Sequence, residues 1–400
     1  MLAAGAKPLE PLGKGSNALK AGTPDAGPEG PTALCVLRGR PFSPRPGTSG
    51  RRTYTRTAVK RKLDSLGDLD RVEIAVSFAP LTGRGPMTVA FVFPGQGSQS
   101  VGMGKALAET FAPARQVFEE VDGALGERLS DTIWNGPAET LVLTENAQPA
   151  LMAMSLAVMR VLEAEASVDL ARDAAFVAGH SLGEYSALAA AGSLSITDAA
   201  RLLRVRGRAM QKAVPVGAGA MAALVGVDFA DVKPIAVEAA SIGVCAAAND
   251  NGGGQVVLSG EKQAVERAVE IAKDRGVKRA MMLPVSAPFH CSLMSPAADA
   301  IAEALAKVTV KPPRVPLVAN VLARPITEPA EIVSSLIEQV TGMVRWRESV
   351  LYMAQAGVTT FYEIGAGRVL TGLIKRIVEG AEASTIGTPD DIARFRAARG

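Results

Sequence analysis

Histidine is nearly absent from this chain. There are two in 400 residues, His180 and His290, so any chemistry that needs an imidazole base must use one of them. Cysteine is almost as scarce. Cys35, Cys245 and Cys291 are too few for a disulfide framework and fit a reducing, cytoplasmic compartment. No Cys/His cluster has zinc-ligand spacing, and no metal or redox cofactor is expected. No apolar run approaches the roughly 20 residues that a membrane-spanning helix needs, and none near the N-terminus forms the core of a secretory signal. Aromatic residues make up 4% and charged residues 21%, against 48% hydrophobic, the balance of an ordinary globular enzyme.

The charge is unevenly spread. Residues 1–86 hold 14 Lys/Arg and 7 Asp/Glu, a net +7, whereas the remainder holds 29 and 33, a net −4. A mildly acidic body argues against nucleic acid as a partner. Residues 1–86 also carry 10 Pro and 12 Gly without period. That composition predicts a disordered extension outside the fold, upstream of a start at Met87, with a transit peptide as the alternative.

From Met87 the pattern changes. Val89–Phe93 is a compact apolar run ended by Pro94-Gly95, which reads as a buried strand and a turn. Gln148–Ala164 reads as a buried helix, and Phe176–Ala178 as a second strand. Strands alternating with helices predict a parallel sheet covered on both faces. Between residues 217 and 285 the predicted order is β-α-β-β-α-β, with the turn-rich Asn249–Gly254 separating its middle strands and Lys278–Val285 as its last strand. That order predicts a ferredoxin-like subdomain inserted between 87–216 and 286–380, which together form a large α/β-hydrolase-like parallel-sheet subdomain. Residues 381–400 read as a loose tail.

Gly179-His180-Ser181-Leu182-Gly183 matches G-x-S-x-G, with an apolar strand before it and a helix-prone run, Glu184–Ala191, after it. A sharp strand-to-helix turn crowds the backbone, and glycines relieve that crowding so that Ser181 projects its hydroxyl. The turn also places the serine at a helix N-terminus, where the Leu182 N–H is the natural first donor to an oxyanion. His180 is adjacent in sequence but points elsewhere and packs under the elbow. His290, in Pro288-Phe289-His290-Cys291, is therefore the candidate base that takes the Ser181 proton through Nε2. No acid is singled out to orient it, and a backbone carbonyl can serve.

These motifs resemble those of the malonyl-CoA:acyl carrier protein transacylases. Phe93–Gln99 (FPGQGSQ), Gly179–Glu184 (GHSLGE), AVPVGAGAMAAL, GQVVLSG, PVSAPFHCSLM and EIGAGRVLTGLIKRI are similar and in the same order, from about Val89 to Ile377. The resemblance implies that Ser181 is acylated and His290 is the base. It implies that Gln96 completes the oxyanion hole with the Leu182 N–H. It also implies that Gln339 positions the histidine, that Asn251 lines the substrate cleft, and that Arg206 binds substrate.

The Arg206 assignment has independent support. In a helix over Asp198–Lys212, Leu202, Leu203, Ala209 and Met210 define an apolar face with Arg206 at its middle. Arg201, Arg204, Arg208 and Lys212 fall opposite, as solvated charges. An inward arginine needs an anion. That anion is either a protein carboxylate or the free carboxylate of a malonyl group, held by two parallel N–H···O bonds. Leu182 and Phe289 fit the malonyl-type pattern, in which bulk disfavours a branched methylmalonyl group.

The resemblance implies ping-pong transfer from malonyl-CoA to acyl carrier protein by a monomer serving fatty acid synthesis. Carrier proteins are acidic, so a basic docking patch is expected. Lys278-Arg279 is the candidate, against an ordinary solvated charge pair. Two other readings stay open: a serine hydrolase, and a catalytically inactive carrier-binding module.

Overall fold

The computed structural model describes residues 88–285 and 287–399. The predicted extension over 1–86 and the start at Met87 lie outside the described residues.

The described strands are, in chain order, β1 (Val89–Phe93), β2 (Phe176–Gly179), β3 (Gly219–Val225), β4 (Cys245–Gly252), β5 (Gln255–Glu261), β6 (Arg279–Met282), β7 (Leu317–Val318), β8 (Pro325–Ile326), β9 (Thr360–Ile364) and β10 (Glu382–Ile386). The helices that carry or support the site are α1 (Thr144–Ala166), α2 (Gly183–Ala190), α3 (Ile196–Lys212), α4 (Phe229–Ala239), α5 (Lys262–Asp274), α6 (Pro329–Thr341), α7 (Trp346–Gln355), α8 (Val369–Ile377) and α9 (Pro389–Arg399).

The larger sheet runs β10-β9-β1-β2-β7-β8. All neighbours are parallel except β7 and β8. Central β1 is buried on both faces: Phe91 and Phe93 enter the main core, whereas Ala90 and Val92 join a second cluster with Trp346, Phe361 and Leu373. That is why its sequence is an unbroken apolar run rather than an alternating one.

The smaller sheet runs β4-β5-β3-β6, and every neighbour is antiparallel. Alternation along β3 sends Ala220, Ala222 and Leu224 under α4 and α5, and Met221 and Ala223 to the other face beside Val257 and Phe289. One edge of this sheet is tied to the larger unit. Asp250 N–H donates to Val344 O (3.0 Å), Val344 N–H donates to Ala248 O (2.8 Å), and Arg347 Nε pairs with Asp250 Oδ2 at 2.8 Å.

Four expectations need correction. Residues 381–400 are no loose tail: β10 pairs with β9 along its length, and Ile386, Ile392 and Phe395 enter the main core. The turn-rich Asn249–Gly254 is mostly strand, because β4 runs to Gly252 with two register irregularities. Asp250 and Asn251 are tolerated there because Arg347 and His180 of the larger unit partner their side chains. The strand expected over Lys278–Val285 is confined to Arg279–Met282. Arg204 is not solvated: it is 6% exposed and donates to Asn146 and Glu127.

Candidate active site

Strand register sets the site. Phe93 pairs with Gly179, so the loops leaving β1 and β2 lie side by side at the carboxyl edge of the parallel sheet, where open α/β sheets bind ligands. The Gly179–Gly183 turn is too tight for side chains at its ends. A Cβ on Gly179 would sit 2.0 Å from the Gly183 carbonyl carbon, and one on Gly183 would sit 2.2 Å from Phe93 O. Between them Ser181 adopts φ 53°, a conformation that costs a non-glycine residue energy and is held by its surroundings.

Asn320, just past β7, does much of that holding. Its Oδ1 accepts the Ser181 N–H at 2.7 Å and its Nδ2 donates to Gly179 O at 2.7 Å. Sequence reasoning missed Asn320. Its one signal was a polar residue ending an apolar strand on the same sheet edge. With the Ser181 N–H occupied, the Leu182 N–H at the head of α2 has no acceptor among the described residues. Gln96 lines the same cleft. Its side-chain Nε2 donates to Thr144 Oγ1 (3.3 Å), which leaves its backbone N–H as the group able to meet an oxyanion.

His290, also at positive φ (60°), approaches from the opposite wall and is 4% exposed. Its Nδ1–H donates to the carbonyl oxygens of Gln339 (2.9 Å) and Gly342 (3.1 Å). That fixes the tautomer, because Nε2 is then the bare nitrogen and accepts the Ser181 Oγ–H at 2.8 Å. Backbone carbonyls thus fill the orienting position that an acid holds in a Ser-His-Asp triad. Burial, and next the Arg206 charge, push the His290 pKa down to about 3, so the ring is neutral and able to accept a proton. His180 is turned away. Its Nε2–H donates to Asn251 Oδ1 (2.9 Å), and its ring lies 5.7 Å from that of Trp346. Burial holds its pKa below the usual histidine range.

Arg206 is 1% exposed and forms no ion pair of 4.0 Å or less with any described residue. Its guanidinium donates from Nη1 to Gln148 Oε1 (3.0 Å) and from Nη2 to Gln339 Oε1 (2.8 Å) and Ser181 Oγ (3.1 Å). Gln339 is fully buried. Its Nε2 donates to Ser181 O (3.0 Å) and to Glu184 Oε2 (2.9 Å). Burial pushes the Glu184 carboxyl up to about 7. Gln148 and Glu184 were not singled out from sequence as site residues.

Ser181, His290, Arg206, Gln96, Leu182 and Asn251 share one cleft of about 470 Å³, walled on the far side by Met221 and Val257 of the smaller unit and by Phe289 in the link after it. Gln339 buttresses it from behind. Lys278 and Arg279 are exposed at the start of β6 and are not among its lining residues. Among the described residues no group of three or more His, Cys, Asp or Glu is placed to hold a metal ion. No described helix is long and apolar enough to cross a membrane.

An alcohol on a strained elbow, a neutral imidazole on that alcohol and backbone amides beside it suit acyl transfer through serine, and the acyl transferase domain family matches residues 90–393, which makes the chain an acyltransferase. Malonyl CoA-acyl carrier protein transacylases from Escherichia coli K12 and Bacillus subtilis 168 are each 47% identical, over 76% of this chain and 97% and 95% of theirs. The acyl-carrier-protein-S-malonyltransferase of Bartonella henselae is 57% identical, with a TM-score of 0.77 over 78% of this chain and 100% of that one. A malonyl-transacylase solved with a type II PKS acyl-carrier protein is 41% identical, with a TM-score of 0.75 over 78% of this chain and 99% of that one. The chain belongs to the malonyl CoA-acyl carrier protein transacylases.

Proposed function

We propose that this protein transfers malonyl from malonyl-CoA to the phosphopantetheine thiol of acyl carrier protein, by a ping-pong mechanism through a malonyl ester on Ser181. The carrying observation is Arg206, a buried cation bonded to the nucleophile and lacking a carboxylate partner among the described residues. Such a cation suits an acyl group with a free carboxylate at its far end.

In the first half-reaction His290 Nε2 takes the Ser181 proton as Oγ attacks the thioester carbonyl. The N–H groups of Leu182 and Gln96 receive the oxyanion. Collapse of the tetrahedral intermediate breaks the C–S bond, and the imidazolium returns its proton to the departing thiolate of coenzyme A. In the second half-reaction the carrier thiol gives its proton to His290 and attacks the ester, and Ser181 recovers its proton as it leaves. Gln339 holds His290 through its carbonyl and Arg206 through its amide, and Asn251 holds His180 at the cleft wall. The carrier serves fatty acid synthesis in this reading, and the enzyme acts as a cytoplasmic monomer. Lys278 and Arg279 meet the acidic carrier at the rim. Charge reversal there raises KM for carrier protein and leaves KM for malonyl-CoA unchanged.

The larger unit is read as α/β-hydrolase-like, supported by its parallel sheet and nucleophile elbow. The smaller unit is read as ferredoxin-like, supported by a split β-α-β order that yields an antiparallel β4-β5-β3-β6 sheet.

A transfer assay tests the reaction. With carrier protein present, malonyl-CoA yields malonyl-carrier and free coenzyme A in equal amounts. Without it, coenzyme A release stops after one equivalent of enzyme. Continuous release of free malonate without acceptor would instead identify a hydrolase.

A further inference from the structure

Arg206 is held by amides. Two carbonyl oxygens, Gln148 Oε1 at 3.0 Å and Gln339 Oε1 at 2.8 Å, accept from opposite arms of its guanidinium. The Gln339 amide bridges Arg206 and the Glu184 carboxylate: its Nε2 donates to Glu184 Oε2 at 2.9 Å while its Oε1 accepts from the arginine. Gln148 has no such second duty. It is 2% exposed, and the remaining contact of its amide is Nε2 with the Met210 thioether sulfur at 3.7 Å. A thioether is a weak acceptor, so that contact does little to fix Gln148. The Arg206 bond decides its place.

Helix packing enforces the meeting. Gly207 lets α3 approach the first turn of α1 so closely that a Cβ there would lie 2.6 Å from Glu145 Cα and 2.7 Å from Thr144 O. Gln148 is one turn further along α1. An amide and a carboxylate of the same length reach the same place, but they differ in what they do to a buried cation. The amide orients it and leaves its charge intact. The carboxylate would orient it and cancel the charge, and an incoming carboxylate would have to displace it.

We infer that Gln148 is a positioning residue that sets the charge selectivity of the site: its amide oxygen holds the Arg206 guanidinium against Ser181 without neutralising it, and so reserves that cation for a carboxylate-bearing acyl group. This rests on the reading of Arg206 given under the proposed function.

The test measures single-turnover acylation of Ser181 by malonyl-CoA and by acetyl-CoA in the full chain, as wild type, Gln148→Glu, Gln148→Met and Arg206→Ala. In Gln148→Glu, kcat/KM for malonyl falls by roughly tenfold to a hundredfold, the range of a lost charge-assisted contact, and acetyl is unchanged or faster. The loss appears mainly in KM. Gln148→Met removes the acceptor without adding charge and lowers the malonyl-to-acetyl ratio by a smaller factor. Equal loss of both substrates in Gln148→Glu would show a merely structural role, and no loss of either would also overturn the inference. If Gln148→Glu does not fold, Gln148→Met decides, and an unchanged ratio there rejects the proposal. Arg206→Ala separates the two claims. If it leaves the ratio unchanged, the reading of Arg206 fails. If it collapses the ratio while Gln148→Glu does not, only the Gln148 inference fails.

Discussion

Two side chains that meet at 2.8 Å, Ser181 and His290, are both non-glycine residues at positive φ. Each holds a costly backbone conformation that aims its functional group into the cleft. His290, the proposed base, is unusual in its protonation. An ordinary histidine titrates near 6.5, so acylation that relied on one would fall as pH drops through that value. His290 is pushed down to about 3 by burial and by Arg206 and stays neutral across that range. Single-turnover acylation by malonyl-CoA should therefore remain flat from about pH 8 to about pH 5. A loss of half the rate near pH 6.5 would contradict this. The linkage sign is also fixed. The folded state binds fewer protons at His290 than the unfolded state does, so this group costs stability as pH falls from about 6.5 towards 3. Arg206→Ala should lower malonyl transfer by roughly tenfold or more and spare acetyl transfer, measured as paired kcat/KM values. Serine, histidine and arginine were all legible in the sequence, the first from its glycines, the second by scarcity, the third from its place on an apolar helix face. Gln148, Asn320 and Glu184 were not, because an amide or acid inside a helix or after a strand has no local pattern that marks its distant partner.

At the scale of elements, α3 carries Arg206 on the face that packs against α1. The periodicity that placed Arg206 inward also placed Arg204 outward, and that second placement failed. The turn after the helix Ala112–Leu125 supplies Glu127 as the partner of Arg204, which no property of α3 alone reveals. Gly207 is the packing point of α3 on α1. Gly207→Ala should force the helices apart, lower stability by about 1–3 kcal/mol, and reduce malonyl transfer more than acetyl transfer as Arg206 shifts from Ser181. Thermal melts with paired kinetics check it, and a wild-type melting temperature with wild-type selectivity would refute it. β1 was legible because a strand buried on both faces reads as an unbroken apolar run. β10 was not: Glu382–Ile386 is short and largely polar at an outer edge of the sheet, where parallel pairing with β9 rather than its own composition makes it a strand.

At the scale of the molecule, the cleft lies at the seam between two sheets. The larger contributes Ser181, Arg206 and the backbone N–H groups of Leu182 and Gln96. The smaller contributes an apolar wall, and the link after it brings His290 back to the nucleophile. Asp250, Arg347 and Val344 tie the two together along β4. Removal of residues 381–400 should expose the β9 edge and the core beneath Phe395, giving a chain that melts lower or aggregates. A chain lacking residues 1–86 should keep its specific activity. The central claim, that Ser181 carries the acyl group, is tested most directly by intact-mass spectrometry of the wild type and of Ser181→Ala after mixing with malonyl-CoA and no acceptor. The account predicts a shift of one malonyl group on the wild type and none on the variant. An unshifted wild type, or an equal shift on Ser181→Ala, would contradict it.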